Sequence, residues 1–244
     1  MKKWILRILL VLLCILFIIG GIFVFNGYQV YKEALNTISL SDKVDKVQQD
    51  DNYIKLEELP TDYKNAVISV EDRRYYNHGP IDLIGIARAT VTNIKNQEFL
   101  EGGSTITQQV AKNLYFISPD ENVALRKVAE IFMANDLEKA YNKDKILELY
   151  VNTIYFGDGY YGIVEACQGY LKKDAKDMTL FDSTMMAGIP NAPSVYAPTV
   201  NLDLTLNRQR KVISTMVENE YITKEQSDKL IDEQDNFELP KKWK

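Results

Sequence analysis

A chain of 244 residues with 46% hydrophobic and 26% charged residues suits one ordinary domain plus accessory helices, and this balance excludes a disordered or collagen-like polypeptide. The formal net charge of −5 is unevenly placed. Lys2, Lys3 and Arg7 give the first 25 residues +3 with no acid, so the rest carries −8, which repels polyphosphate backbones and argues against a nucleic-acid partner.

Two cysteines, Cys14 and Cys167, supply no disulfide framework. A single histidine, His78, argues against zinc sites built from His and Cys clusters and against a His-dependent nucleophile triad, although it does not exclude the latter.

Ile8 to Phe25 form an eighteen-residue run without a charge. As a helix it covers roughly 27 Å, close to the hydrocarbon thickness of a bilayer. A cleaved signal peptide is the alternative, but the length of the run and the absence of an A-x-A site favour a retained span. The cations before it place the N-terminus in the cytoplasm and everything after Asn26 outside. Residues 26–55 read as a polar, partly helical stalk.

Helical patterns dominate from Leu59 onward. A first helix starts near Pro60-Thr61 and sets Tyr63, Val67, Val70, Glu71 and Arg74 at helical spacing. A second follows Gly102-Gly103, with Thr105 to Gln108 fitting a capping box and Ser104 as the competing cap. A third spans about 122–140, and a fourth follows Asn142 with Ile146, Leu149 and Tyr150 inward. Two more are expected at about 204–219 and 224–234, separated by the capping box of Thr223 and Gln226. The prolines of NAPSVYAP (191–198) predict an ordered loop.

Three segments offer chemistry. Glu71 follows an apolar stripe; from position alone the simpler reading is a surface acid paired with Arg74. The alternative is a partly buried carboxylate with a raised pKa, suited to general-base work. In GGSTITQQVAKN (102–113), two glycines lead into a helix N-terminus that favours an anion, and Ser104, Gln108 and Lys112 recur at four-residue steps. That pattern fits a phosphate site and a solvated polar face equally. In RKVAE (126–130), Glu130 reaches both Arg126 and Lys127; taken alone this reads as an exposed helix salt bridge. His78 reads as a structural turn residue.

Taken in order, EDRRYYNHGPID (71–82), GGSTITQQVAKN, RKVAE and KILELYVNTIYFG (145–157) resemble the successive motifs of the family 51 peptidoglycan glycosyltransferases. That domain occurs in class A penicillin-binding proteins and in monofunctional transglycosylases. Two positions depart from the family pattern: Tyr75 stands where Phe is usual, and Pro80 stands where Gly is usual, with Gly79 one place earlier. No Ser is followed by Lys at +3 and KTG is absent, so the expected type is the monofunctional one, without transpeptidase activity.

The resemblance implies a mainly α, lysozyme-like domain with a small membrane-proximal jaw at about 83–100. The expected organisation is a cytoplasmic N-terminus (1–7), a transmembrane helix (8–25), a stalk (26–55), the glycosyltransferase domain (56–200) and completing C-terminal helices (201–244). It implies polymerisation of lipid II into β-1,4 glycan strands with release of undecaprenyl pyrophosphate. Glu71 is then the general base and Glu130 the second glutamate. Ser104, Gln108, Gln109, Lys112, Arg126 and Lys127 become the pyrophosphate-binding set. Mg²⁺ or another divalent cation assists in some members, and no organic cofactor is implied. The expected partners are lipid II, the growing glycan chain, membrane lipid and other cell-wall synthesis proteins. A lysozyme-like wall hydrolase or a non-catalytic scaffold are the competing functions.

Overall fold

A computed structural model describes residues 2–96, 102–117, 122–237 and 239. Its first helix, α1 (Lys2–Thr37), is far longer than the apolar run. The part from Trp4 onward is long and apolar enough to cross a membrane, and its apolar window is wholly exposed. Beyond Phe25 the same helix stays regular and turns a face to the body, where Tyr31 is buried. A short helix, α2 (Leu40–Gln48), starts on the cap Ser39 and buries Val44. The polar segment after the span is therefore largely helical and packed on the body.

The body is built of α3 (Thr61–Glu71), α4 (Leu83–Asn96), α5 (Ile106–Tyr115), α6 (Val123–Ala140) and α7 (Lys143–Thr153), then α8 (Ile163–Ala166), α9 (Leu180–Gly188), α10 (Pro193–Tyr196), α11 (Leu202–Glu218) and α12 (Lys224–Gln234). Its small sheet is an antiparallel hairpin of β1 (Tyr155–Gly157) and β2 (Tyr160–Tyr161), so the fold is mainly α. The turn takes Gly157 and Gly159 at φ of 92° and 85°, which a side chain would resist.

At the centre lies α9, where every residue from Phe181 to Gly188 is buried. A helix apolar nearly all round has no surface face to offer and becomes a core element. Its polar start is satisfied locally: Thr179 and Asp182 cap each other, and Lys173 pairs with Asp182 at 2.7 Å. Helices α3 and α11 pack on α9, while α5 packs on α6 and α7, and α1 packs on α6. The last two helices fall within one or two residues of their expected limits.

Two expectations change. α3 stops at Glu71 because Asp72 leaves helical geometry (φ −156°, ψ 70°), so Arg74 is not on that helix. The NAPSVYAP segment is not a plain loop but a 3₁₀ turn at Ile189–Asn191 followed by α10. Pro193 occupies the first position of α10, where its missing N–H is no loss. The segment expected to form the jaw is helical through Asn96, with Leu83, Ile84, Val91 and Ile94 exposed, and its last residues, 97–100, lie outside the described ones.

Candidate active site

The turn after α3 is fastened to the start of α5. Thr105 caps α5, accepting from the Gln108 N–H at 3.1 Å while Gln108 Oε1 accepts from the Thr105 N–H at 3.0 Å. Ser104 is not the cap. The Thr105 hydroxyl also donates to the Pro80 carbonyl at 2.9 Å, and the Ile106 N–H donates to Asp72 Oδ2 at 3.1 Å. The unusual Pro80 thus sits in a turn that still anchors α5. Asp82 holds Arg74 at 3.2 Å.

Beside this joint opens a cavity of about 600 Å³. All eight sequence-predicted site residues line it: Glu71 from α3, Ser104, Gln108, Gln109 and Lys112 from the α5 segment, and Arg126, Lys127 and Glu130 from α6. Arg73, Arg88, Arg208 and Lys211 also line it, which makes seven cations against three carboxylates, Glu218 being the third. An acidic chain has thus gathered positive charge in one cleft, which focuses an anionic ligand there.

Glu71 does not pair with Arg74. Gln109 Nε2 donates to its Oε2 at 2.8 Å, and Arg208 Nη2 stands 3.9 Å from its Oε1. Oε1 is buried and accepts no hydrogen bond. Burial raises the Glu71 pKa above the ordinary carboxylate value, the neighbouring Asp72 charge adds to this, and the Gln109 bond and Arg208 oppose it without cancelling it. Behind Glu71 the phenols of Tyr63 and Tyr150 are fully buried, and burial, with the Glu71 charge adding, raises their pKa well above the usual phenol value.

Glu130 is also not a surface salt bridge. Its side chain is 1% exposed, with Lys127 Nζ at 2.6 Å from Oε2 and Arg126 Nε at 3.3 Å from Oε1. One buried carboxylate therefore fixes two cations that face the cavity.

Four further lining residues carried no sequence signal strong enough to single them out. Arg208 and Lys211 lie three apart on α11 with Thr215 four further on, a helical stripe that only a known partner surface would distinguish from solvent-facing charge. Asn113 ends the 102–113 motif; its Nδ2 is buried without a hydrogen-bond partner in the cavity wall.

Among the described residues one group has the donor spacing for a cation: Asp72, His78 and Asp82, with ligand atoms within 4.8 Å of one another. Its donors are already engaged. His78 Nε2 lies 2.7 Å from Asp72 Oδ1, Asp72 Oδ2 accepts from Ile106, and Asp82 holds Arg74 and the Ile84 N–H. None of the three lines the cavity, so they do not fit a cation that would touch a pyrophosphate there.

The chain thus presents a mainly helical body behind one long apolar helix, with a cationic cleft around Glu71 and the buried Glu130. The transglycosylase family matches residues 37–217, and the chain belongs to that family, the glycosyltransferase family 51 domain of class A penicillin-binding proteins. It is 43% identical over 191 residues to penicillin-binding protein 1A of Neisseria lactamica, covering 78% of this chain and 24% of that protein. It is 38% identical over 232 residues to penicillin-binding protein 1F of Bacillus subtilis, covering 91% of this chain and 32% of that protein. The chain thus spans about a quarter to a third of the length of these relatives. A crystal structure of penicillin-binding protein 1A from Haemophilus influenzae aligns with 55% of the chain and 16% of its own, at 27% identity and a TM-score of 0.39.

Proposed function

We propose that the chain is a membrane-anchored peptidoglycan glycosyltransferase that polymerises lipid II into β-1,4 glycan strands. Glu71 removes the proton from the 4-hydroxyl of the acceptor N-acetylglucosamine. The freed oxygen attacks C1 of the donor N-acetylmuramic acid, inverting that carbon and expelling undecaprenyl pyrophosphate. The observation that carries this reading is the state of Glu71: one oxygen held by Gln109, the other buried, unbonded and on a cationic cavity. A raised pKa strengthens such a base toward a sugar hydroxyl near neutral pH.

The leaving group gains charge as the bond to C1 breaks. Lys112, Arg126 and Lys127 meet it as fixed cations, with Ser104, Gln108 and Gln109 in support. Glu130 is a positioning residue for the cations it brackets. A wall hydrolase would leave that cationic wall idle, and a scaffold would need neither buried glutamate. We assign no step to a divalent cation. The N-terminus lies in the cytoplasm and the cleft outside, with the exposed apolar side chains of α4 against the lipid surface; a reporter fused after Lys244 should be active only outside the cytoplasm. Other wall-synthesis proteins are natural partners for such an enzyme.

Incubation with labelled lipid II tests the reading. Polymer with release of undecaprenyl pyrophosphate is expected. Absence of polymer from folded, membrane-embedded protein, or cleavage of preformed glycan instead, would overturn it.

A further inference from the structure

The contact between α1 and α6 has the form of a height gauge. Gly27 is buried, and a Cβ there would stand 2.5 Å from both Cβ and Cγ1 of Val128 and 3.1 Å from the Leu125 carbonyl oxygen. Real Cβ atoms do not approach so closely, so the two helices touch backbone to side chain at this point. One turn further along α6, Phe132 meets Tyr28 edge-on at 5.1 Å and lies 5.7 Å from Tyr31, and the Tyr31 hydroxyl bonds the Asp136 carboxylate. Residues rising from 27 to 31 on α1 meet residues rising from 128 to 136 on α6, so the helices run parallel here.

Parallel packing has a vertical consequence. The uncharged run ends at Phe25, and Gly27 stands about 3 Å further along the axis, at 1.5 Å per residue. Arg126 and Lys127 precede Val128 by two residues and one, so their backbone lies level with the end of the apolar run. Those cations belong to the same helix but to its cavity-lining side. A regular helix carries the register from the bilayer to the site without a joint, since α1 runs unbroken from Lys2 to Thr37.

We propose that Gly27 is a positioning residue for glycosyl transfer: through Val128 it fixes α6 so that Arg126 and Lys127 meet a lipid-linked pyrophosphate at headgroup level, while the lipid tail stays in the bilayer. This rests on the reading of the chain as a lipid II polymerase. The gauge acts on membrane-embedded substrate and is indifferent to substrate delivered from water.

The test uses the full chain in phosphatidylglycerol–phosphatidylcholine vesicles with two substrates: undecaprenyl lipid II in the same vesicles, and a short-chain, water-soluble lipid II analogue in the bulk. Four helix-forming residues inserted between Asn26 and Gly27 lift the body by roughly 6 Å and leave the α1–α6 contact intact. The expected result is a tenfold or greater fall in kcat/KM for vesicle lipid II, carried by KM, with less than twofold change for the soluble analogue. The same insertion between Lys3 and Trp4 should change neither. Equal activity of the lifted variant on vesicle lipid II overturns the proposal.

If the lifted variant loses both activities through misfolding, a second pair decides. Gly27→Ala should raise KM for vesicle lipid II alone, and Val128→Gly, which removes both crowding carbons, should restore it. A KM unmoved by Gly27→Ala, or no restoration, overturns the proposal. Wild-type protein inactive on both substrates would instead sink the lipid II reading, and this proposal with it.

Discussion

Replacing Glu71 by Gln separates the charge of this side chain from its shape. The amide oxygen can still accept the Gln109 bond, 2.8 Å long to the wild-type carboxylate, so the packing beside α5 survives. What disappears is the proton acceptor, and general-base catalysis is usually worth a factor of about 10² to 10⁴, or roughly 3 to 5 kcal/mol of barrier. Stability should change far less. The Arg208 guanidinium at 3.9 Å attracts the carboxylate by about 4 kcal/mol at an effective dielectric constant of 20, and a desolvation penalty of several kcal/mol opposes it. The sign depends on pH. Because the folded-state pKa of Glu71 is raised, the folded protein holds this proton more tightly than the unfolded chain. The wild-type contribution is therefore fully present below the ordinary carboxylate pKa and is lost as pH rises through the higher folded value. Thermal melts should shift in favour of Glu71→Gln at pH 8 relative to pH 4. The rate is read as lipid II polymerisation in liposomes, with binding of moenomycin, a lipid-linked phosphoglycolipid, reporting an intact cleft. A folded, moenomycin-binding variant that polymerises at the wild-type rate would refute Glu71 as the base.

Further outcomes follow from the neighbours of Glu71. Arg208→Met removes a cation that holds the Glu71 pKa down, so the acid limb of kcat/KM against pH should move to higher pH; an unmoved limb would mean that another group titrates there. Lys112→Ala and Arg126→Ala should each slow polymerisation about a hundredfold, with Lys112→Arg much milder, as single-turnover rates would show. Glu130→Gln strands two cations around a buried site and should lower stability by about 2 kcal/mol in denaturant titration, below the usual range for broken buried pairs because Lys127 is 45% exposed. It should also weaken donor binding, and unchanged stability with unchanged binding would remove its positioning role.

The helices were legible because their ends are written in short-range chemistry. Thr105 with Gln108, Asn142, and Thr223 with Gln226 all cap where the sequence places them. The surroundings of the two glutamates were not. Glu71 and Arg74 have helical spacing, but the backbone breaks at Asp72, which tertiary bonds to His78 and Ile106 hold outside the helix. Glu130 reads as exposed because α6 has no single apolar face; that helix is packed by α1, α5 and α7, an environment that no local pattern contains. Arg208 is 137 positions from Glu71, and only the packing of α11 on α3 and α9 brings them together. The cation cluster itself was visible in part, since the quoted motifs supply four of its seven members, Arg73, Lys112, Arg126 and Lys127.

That last separation has a consequence for the timing of assembly. Glu71 and Arg208 leave the ribosome far apart, and at 5–20 residues per second the interval is on the order of ten seconds. During that interval α3 has no α11 to pack on, and Glu71 has no guanidinium beside it. A nascent chain therefore carries Glu71 without its guanidinium neighbour until α11 has emerged. If Glu71 is the proposed base, its final adjustment waits for α11, and a chain that has emerged only as far as α7 holds the carboxylate without that neighbour.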